Sequence, residues 1–327
     1  AADPSGRLFG YATVLFSRGT PLARLYSIAV ERTMRSQGVG RSLLRAAEAG
    51  ARARDAAFMR LEVRADHVET RDFYRREGYR PFAVQADYYE DAVDAVRMEK
   101  PLATGPRPEM AAIPFYGQSL DFTCGPAALM MAMHALEPQV PLDQTTELRL
   151  WREATTIFTT SGHGGCGPSG LALAAHKRGF DVALMLANDG VMFLDSVRSP
   201  HKKEVLRLVH ADFQQQIKEA GIPVTYGSFG VADLRQQFTA GGVPLILISS
   251  YRFDRMKKPH WVVVTGFDGR YVYLHDPDVD ETASKTATDC MQIPVLEQDF
   301  ERMAWFGSQR HRAVVIIKKR GERCLST

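Results

Sequence analysis

The apolar and polar positions are ordered differently on the two sides of residue 101. On the N-terminal side the pattern predicts strands over Leu8–Phe16 and Leu22–Val30 and a helix over Gly38–Arg54. A strand over Phe58–Arg64, a helix over Val68–Glu77 and strands near Tyr79–Tyr89 and Ala95–Lys100 follow. On the C-terminal side helical patterns come first, over 124–136, 143–154, 168–178 and 203–220. Strand-like runs then dominate, at 243–249, 260–267, 271–276 and 312–318. Between the two lies the Pro-rich, weakly patterned stretch Pro101 to Pro114, where proline stiffens the chain and removes donors a sheet needs. The expected organisation is a domain over 1–101, a linker over 102–112 and a domain over 113–327. The fold class is α+β, a mixed α/β chain.

Composition adds bounds. The chain has 327 residues, enough for two cores, with 45% apolar and 24% charged residues, as in ordinary globular proteins. A net charge of +3 gives no reason to expect nucleic acid or a membrane surface as partner. Apolar runs such as Val243 to Ile248 are too short to span a bilayer, and no cleavable leader is legible at the start. Cys124, Cys166, Cys290 and Cys324 are widely spaced, which suits free thiols in a reducing, cytoplasmic setting better than a disulfide scaffold.

The candidate chemistry centres on Cys124. It stands in Gln118-Ser119-Leu120-Asp121-Phe122-Thr123-Cys124-Gly125-Pro126, at the first turn of a predicted helix. A free thiol has a pKa near 8.5, and a helix N-terminus with an adjacent imidazolium lowers it. His260 opens the run His260-Trp261-Val262-Val263-Val264, and Asp276 closes Tyr271-Val272-Tyr273-Leu274-His275-Asp276. A turn at Asp268-Gly269 would fold these into a hairpin and return the aspartate to the histidine. In this order Cys124 reads as nucleophile, His260 as base and acid, Asp276 as the group that orients His260, and Gln118 as oxyanion donor. Gly165-Cys166-Gly167-Pro168 echoes Thr123-Cys124-Gly125-Pro126 but lacks the upstream glutamine, so Cys166 reads as structural, lining the cleft. His163 with Cys166 makes too few ligands for a metal, and none is expected. The cluster Arg252 to Lys258 reads as a solvated loop.

Gln118-x5-Cys124-Gly125, His260 before an apolar strand, Asp276-Pro277 and Gly242-Val243-Pro244-Leu245-Ile246 together resemble the papain-like double-glycine leader peptidases, over most of residues 113 to 318. The resemblance implies a cysteine peptidase without cofactor, acting on a peptide, including a leader-containing precursor. Papain-like sites also transfer acyl groups to amines, so hydrolysis and transfer stay open.

The N-terminal side carries a second motif. Arg35-Ser36-Gln37-Gly38-Val39-Gly40-Arg41 lies between a strand and a helix, where glycines admit a pyrophosphate to backbone amides and the helix start adds positive potential. With Ile28-Ala29-Val30, Leu61-Glu62-Val63-Arg64, Phe73-Tyr74 with Gly78-Tyr79, and Tyr88-Tyr89, it resembles the GNAT acetyltransferases, especially the ribosomal-protein N-terminal acetyltransferases, over residues 7 to 102. That implies acetyl-CoA as cofactor, held at Ile28, Val30, Gln37, Gly38, Val39, Gly40 and Arg41. It implies Glu62 as base toward an amine and Tyr74 as acid toward the departing thiolate. His67 stands where the family has asparagine, and the elements that precede these strands in the family have no counterpart in the sequence, so the domain reads as N-terminally incomplete. The whole arrangement resembles a bacterial group that fuses a GNAT unit to a cysteine peptidase unit beside ATP-grasp peptide ligases. That implies peptide processing with such a ligase as partner. Acetylation of a peptide or protein amine, and a non-catalytic scaffold, are the alternative readings.

Overall fold

The computed structural model describes residues 1, 6–103, 108–156, 158–159, 162–194, 197–256, 258–280, 282, 285–307 and 310–321. The chain divides into two compact units, Ala1–Pro106 and Arg107–Thr327.

The first unit is built on β1 (Gly10–Phe16), β2 (Leu22–Val30), α1 (Val39–Arg52), β3 (Phe58–Arg64), α2 (Val68–Arg76), β4 (Arg80–Gln85) and β5 (Ala95–Pro101). The strands lie in the order β1-β2-β3-β5-β4. Side chains alternate across a strand. Met59, Leu61 and Val63 therefore join Leu44 and Ala51 of α1 and Tyr74 of α2 in the core, while Arg60, Glu62 and Arg64 take the other face. Strands β2 and β3 pair in parallel over Leu22–Arg24 and Phe58–Arg60. Beyond Arg24 and Arg60 their ladder stops, although β2 runs on to Val30 and β3 to Arg64. The strands part there, and a wedge opens between them.

The second unit starts with β6 (Glu109–Met110), inside the stretch expected as linker. It pairs with the far end of β12 (Pro259–Phe267) at Gly266 and Phe267. Gly266 is needed for this approach, since a Cβ there would stand 2.4 Å from the Glu109 carbonyl oxygen. Helices α3 (Cys124–Leu136) and α4 (Gln144–Ala154), the short pair β7 (Phe158–Thr159) and β8 (Gly162–His163), and α5 (Pro168–Lys177) follow. Then come β9 (Asp181–Leu186), α6 (Pro200–Glu219), β10 (Val224–Tyr226), α7 (Val231–Thr239), β11 (Val243–Ser249), α8 (Tyr251–Asp254) and β12. The unit ends with β13 (Tyr271–His275), α9 (Ala287–Cys290), β14 (Ile293–Leu296), α10 (Glu297–Met303) and β15 (Ala313–Lys318).

The main sheet runs β10-β9-β15-β11-β12-β13-β14, antiparallel except for the β10–β9 pair. Leu245, Leu247, Trp261, Val263, Val315 and Ile317 form one core with Leu129 and Met133 of α3 and Leu171 of α5. The alternate residues Ile246, Ile248, Val262, Val264, Val314 and Ile316 are fully buried as well. Burial of both faces explains why these strands read as unbroken apolar runs rather than as an alternation.

Several elements escape the sequence pattern. Strand β9 is made of Val182, Ala183, Leu184, Met185 and Leu186 after Asp181, and Ala, Leu and Met favour helix when read locally. Its partner β15 lies more than a hundred residues away, so tertiary pairing overrides propensity. Helix α7 has nine residues, too few for a clear period. Arg252, expected in a solvated loop, starts inside α8 and pairs with Asp299 of α10 at 2.7 Å, while Lys257 lies outside the described residues.

Candidate active site

Helix α3 begins at Cys124 itself. Thr123, the N-cap residue, turns its hydroxyl back to the Leu120 carbonyl at 2.8 Å and gives the helix no side-chain cap. Pro126 has no N–H, so the donors of the first turn are the Cys124 and Gly125 amides. A helix start of this kind favours negative charge on the sulfur beside it. Gly125 lets the neighbouring wall come close, since a Cβ there would stand 3.2 Å from the Cys166 Cβ and 3.2 Å from the Trp261 ring.

His260 and Asp276 come together through the expected hairpin. Strand β12 runs out from Pro259, the chain turns at Asp268 and Gly269 (φ 86°), and β13 returns to His275. Asp268 holds this turn, its Oδ1 accepting from the Arg270 and Tyr271 amides at 2.8 and 2.7 Å. At the mouth of the hairpin His260 Nε2 lies 2.6 Å from Asp276 Oδ1. Asp276 is 1% exposed. Its Oδ1 also accepts the Asp278 amide at 2.9 Å, and its Oδ2 takes Lys285 Nζ at 2.8 Å.

The protonation states follow from this packing. Burial alone would lower the His260 pKa, but the Asp276 carboxylate and the adjacent, hydrogen-bonded Cys124 sulfur outweigh it and raise it to about 10. Burial would raise that of Asp276, but His260 and Lys285 hold it well below the usual carboxylate range. Burial pushes the Cys166 and Cys290 thiols well above theirs. Cys166 lies against Gly125, and its carbonyl accepts the Trp261 indole N–H at 2.9 Å, so it walls the site as expected. The side chain of His163 and all of Cys324 lie outside the described residues.

Gln118 sits in a loop fastened on both sides. Its amide donates to the Pro277 carbonyl at 2.8 Å, next to Asp276. Glu147 of α4 binds the other side, accepting from the Ser119 amide at 2.9 Å, the Ser119 hydroxyl at 2.6 Å and the Tyr116 hydroxyl at 2.9 Å. Burial, with the Glu147 bond second, pushes the Tyr116 phenol above its usual range. The Gln118 side-chain oxygen is buried without a hydrogen-bond partner among the described residues.

Glu147 and Lys285 carry weight that the sequence reading missed. A signal existed for Glu147, which shares a helix face with Leu150 and Ala154, all fully buried. A carboxylate on an apolar face implies local donors. Lys285 gave no signal, because it reaches Asp276 across a loop of irregular sequence.

In the first unit, Ile28 and Val30 lie on the part of β2 that has left β3. Gly38 caps α1 in the left-handed region (φ 82°, ψ −3°), with Val39, Gly40 and Arg41 in the first turn and no side-chain cap. A Cβ on Gly40 would meet nothing nearer than Val30 at 3.8 Å, so the loop and strand leave an open cradle. These features fit a pyrophosphate-bearing cofactor: the start of α1, without a side-chain cap among the described residues, lies beside Val30 of β2. Gln37 donates to the Thr33 carbonyl at 3.0 Å, and Arg41 pairs with Glu77 at 2.6 Å, so both side chains have protein partners. Glu62 is not on a solvated face. Its Oε2 takes Arg24 at 3.2 Å, both side chains are nearly buried, and its Oε1 has no hydrogen-bond partner among the described residues. Tyr74 lies in the core edge-on to Phe73 and Tyr79, and burial, with Tyr89 second, raises its pKa to about 12.

The two units thus define a GNAT-type sheet followed by a papain-like α+β unit with a cysteine, a histidine and an aspartate at one end of its sheet. Residues 113–318, more than half of the chain, match the family described as "Peptidase_C39 like family", and the chain belongs to that family. Residues 1–102 match the acetyltransferase (GNAT) domain. An uncharacterized N-acetyltransferase of Methanocaldococcus jannaschii is 37% identical over 108 residues, 32% of this chain and 68% of that protein. Among solved structures, Ard1 from Thermoplasma volcanium is 30% identical over 31% of this chain and 67% of its own, with a TM-score of 0.29. The ribosomal-protein-S18-alanine N-acetyltransferase of Escherichia coli is 27% identical over 32% of this chain and 67% of its own, also with a TM-score of 0.29. The chain therefore joins an acetyltransferase domain to a peptidase-like domain. Among the described residues no helix is long and apolar enough to cross a membrane.

Proposed function

We propose that the second unit is a cysteine peptidase that cleaves a peptide or peptide-like amide through an acyl-thioester. The observation that carries this reading is the Asp276–His260 bond at 2.6 Å, with Cys124 at a helix start beside the ring. Because Nε2 of His260 is taken by Asp276, Nδ1 is the nitrogen that serves the sulfur. The Cys124 sulfur attacks the carbonyl carbon, and the C=O electron pair moves to oxygen. The Gln118 carboxamide and the Cys124 amide receive that oxyanion. His260 gives its Nδ1 proton to the departing amine as the C–N bond breaks. Neutral His260 then takes a proton from water, which attacks the thioester carbon and releases the acid and the sulfur.

The test is a peptide library incubated with the protein and read by mass spectrometry, beside a thiol-labelling experiment. Iodoacetamide at pH 6 is expected to modify Cys124 ahead of Cys166 and Cys290. Cys124→Ala is expected to reduce cleavage by on the order of 10⁴-fold or more. Cleavage that persists in Cys124→Ala, or preferential labelling of another cysteine, overturns the assignment.

For the first unit we propose acetyl-CoA binding at Ile28, Val30 and residues 37–41, supported by the β2–β3 wedge and the uncapped start of α1. When bound, acetyl-CoA supplies an activated acetyl group. Glu62 would receive the amine proton on its uncommitted Oε1, and Tyr74, protonated at neutral pH, would hold a proton for the thiolate. Calorimetric titration tests this, and no binding heat at millimolar acetyl-CoA would leave the scaffold reading. A leader-bearing precursor as substrate and an ATP-grasp ligase as partner complete the proposal, and co-purification of either from the native host tests them.

A further inference from the structure

The Asp276 carboxylate serves two cations. His260 takes Oδ1 and Lys285 takes Oδ2, at 2.6 and 2.8 Å. Lys285 is not a loose surface side chain. Its backbone forms a bridge with Asp280, with N–H to carbonyl distances of 2.9 and 3.0 Å, and its ammonium also reaches Asp278 Oδ2 at 3.4 Å. Its side chain is 26% exposed, against 43% for Asp278. The charged and titratable groups around the carboxylate are His260 of β12, Cys124 of α3, Lys285 and Asp278 of the segment after β13, and Asp289 and Cys290 of α9. Lys285 is the cation in this set that does not exchange a proton in the proposed reaction. Removing it would leave Oδ2 buried beside a single positive partner. It would also strip a positive charge from beside the carboxylate that holds the imidazole.

We propose that Lys285 is a positioning residue of the hydrolytic site. By holding Oδ2 it fixes the Asp276 carboxylate toward His260, and its charge sets the pH range in which the Cys124–His260 pair reacts. The proposal rests on the peptidase reading above. A lysine that merely fastened the 276–285 loop would affect stability and leave that pH range alone.

The sign is fixed by electrostatics. A nearby cation favours loss of a proton from the imidazole, so its removal makes His260 hold its proton to higher pH. The rate of Cys124 alkylation by iodoacetamide, followed from pH 4 to 11, needs no substrate. Lys285→Met is expected to move the alkaline limbs of that profile and of the kcat/KM profile for peptide cleavage upward by about one pH unit. Lys285→Arg should return them to the wild-type positions. If Lys285→Met does not fold, Lys285→Gln keeps a donor without the charge and should show the same displacement. Alkaline limbs that stay in place in a folded, charge-removing variant overturn the proposal, even if overall activity falls. A wild-type protein whose Cys124 is never alkylated ahead of the other thiols instead overturns the peptidase reading, so the two failures are distinguishable.

Discussion

The two units each bury a carboxylate on a strand or at its end, and they treat it in opposite ways. Asp276 has both oxygens engaged, by His260, the Asp278 amide and Lys285. Glu62 has Arg24 on one oxygen and no hydrogen-bond partner on the other among the described residues. Leaving a buried acceptor unmet costs about 1–3 kcal/mol. A site that keeps such a cost gains when a ligand brings a donor, whereas a satisfied carboxylate can only orient what already binds it. On the proposed roles, Asp276 would be held ready by its own chain, whereas Glu62 would be completed by what the N-terminal unit binds.

The same contrast exists inside the C-terminal unit. Gln118 is held by its backbone, while its side-chain oxygen has no partner among the described residues. Gln118→Ala leaves the loop anchors in place and removes the proposed oxyanion donor. We expect a fall in kcat of about a hundredfold with little change in KM. Steady-state kinetics on a peptide found by library screening would check this. Equal losses in kcat for Gln118→Ala and Ser119→Ala would contradict a specific role for the carboxamide.

Glu147 offers a smaller and sharper cut. It fixes the Gln118 loop through Ser119 and Tyr116 and touches no reacting atom. Glu147→Gln keeps the shape and replaces one acceptor oxygen with a donor. Peptide turnover should fall by about tenfold, in line with one lost hydrogen bond to a charged group. Alkylation of Cys124 should keep its rate, because that reaction forms no oxyanion. A parallel loss of both would mean that Glu147 supports the whole unit rather than the loop.

The parts of this architecture that were legible in the sequence share one property: they are local. Cys124 at a helix start, the Asp268-Gly269 turn and the hairpin that returns Asp276 to His260 all follow from residues within about twenty positions. The β2–β3 wedge leaves no mark in the pattern, because it depends on where two strands stop pairing whose partners, such as Leu22 and Phe58, are far apart in the sequence. Strand β9 was hidden by helix-favouring residues, and β6 by the prolines around it. Lys285 and Arg24 were invisible for another reason. Long cations on strands or loops read as solvated unless a buried carboxylate already stands at the end of their reach.

The smallest effect tests the proposed cofactor site. Gly38 adopts φ 82° at the start of α1, and a Cβ there would meet nothing within 4 Å. Substitution by alanine thus meets no steric wall. Its cost is confined to the left-handed backbone, about 1–2 kcal/mol for a non-glycine residue. If the loop relaxes to avoid that cost, the amides of the first turn lose their aim. Acetyl-CoA should then bind Gly38→Ala about five- to tenfold more weakly by calorimetry. Asparagine tolerates this conformation better than alanine, so Gly38→Asn should recover part of the loss. Unchanged affinity in Gly38→Ala would mean that the loop does not hold the cofactor. Peptide cleavage at Cys124 supplies the internal control. It should be unaffected if the proposed peptidase site works independently of the proposed cofactor site, and any change in it would show that the two are coupled.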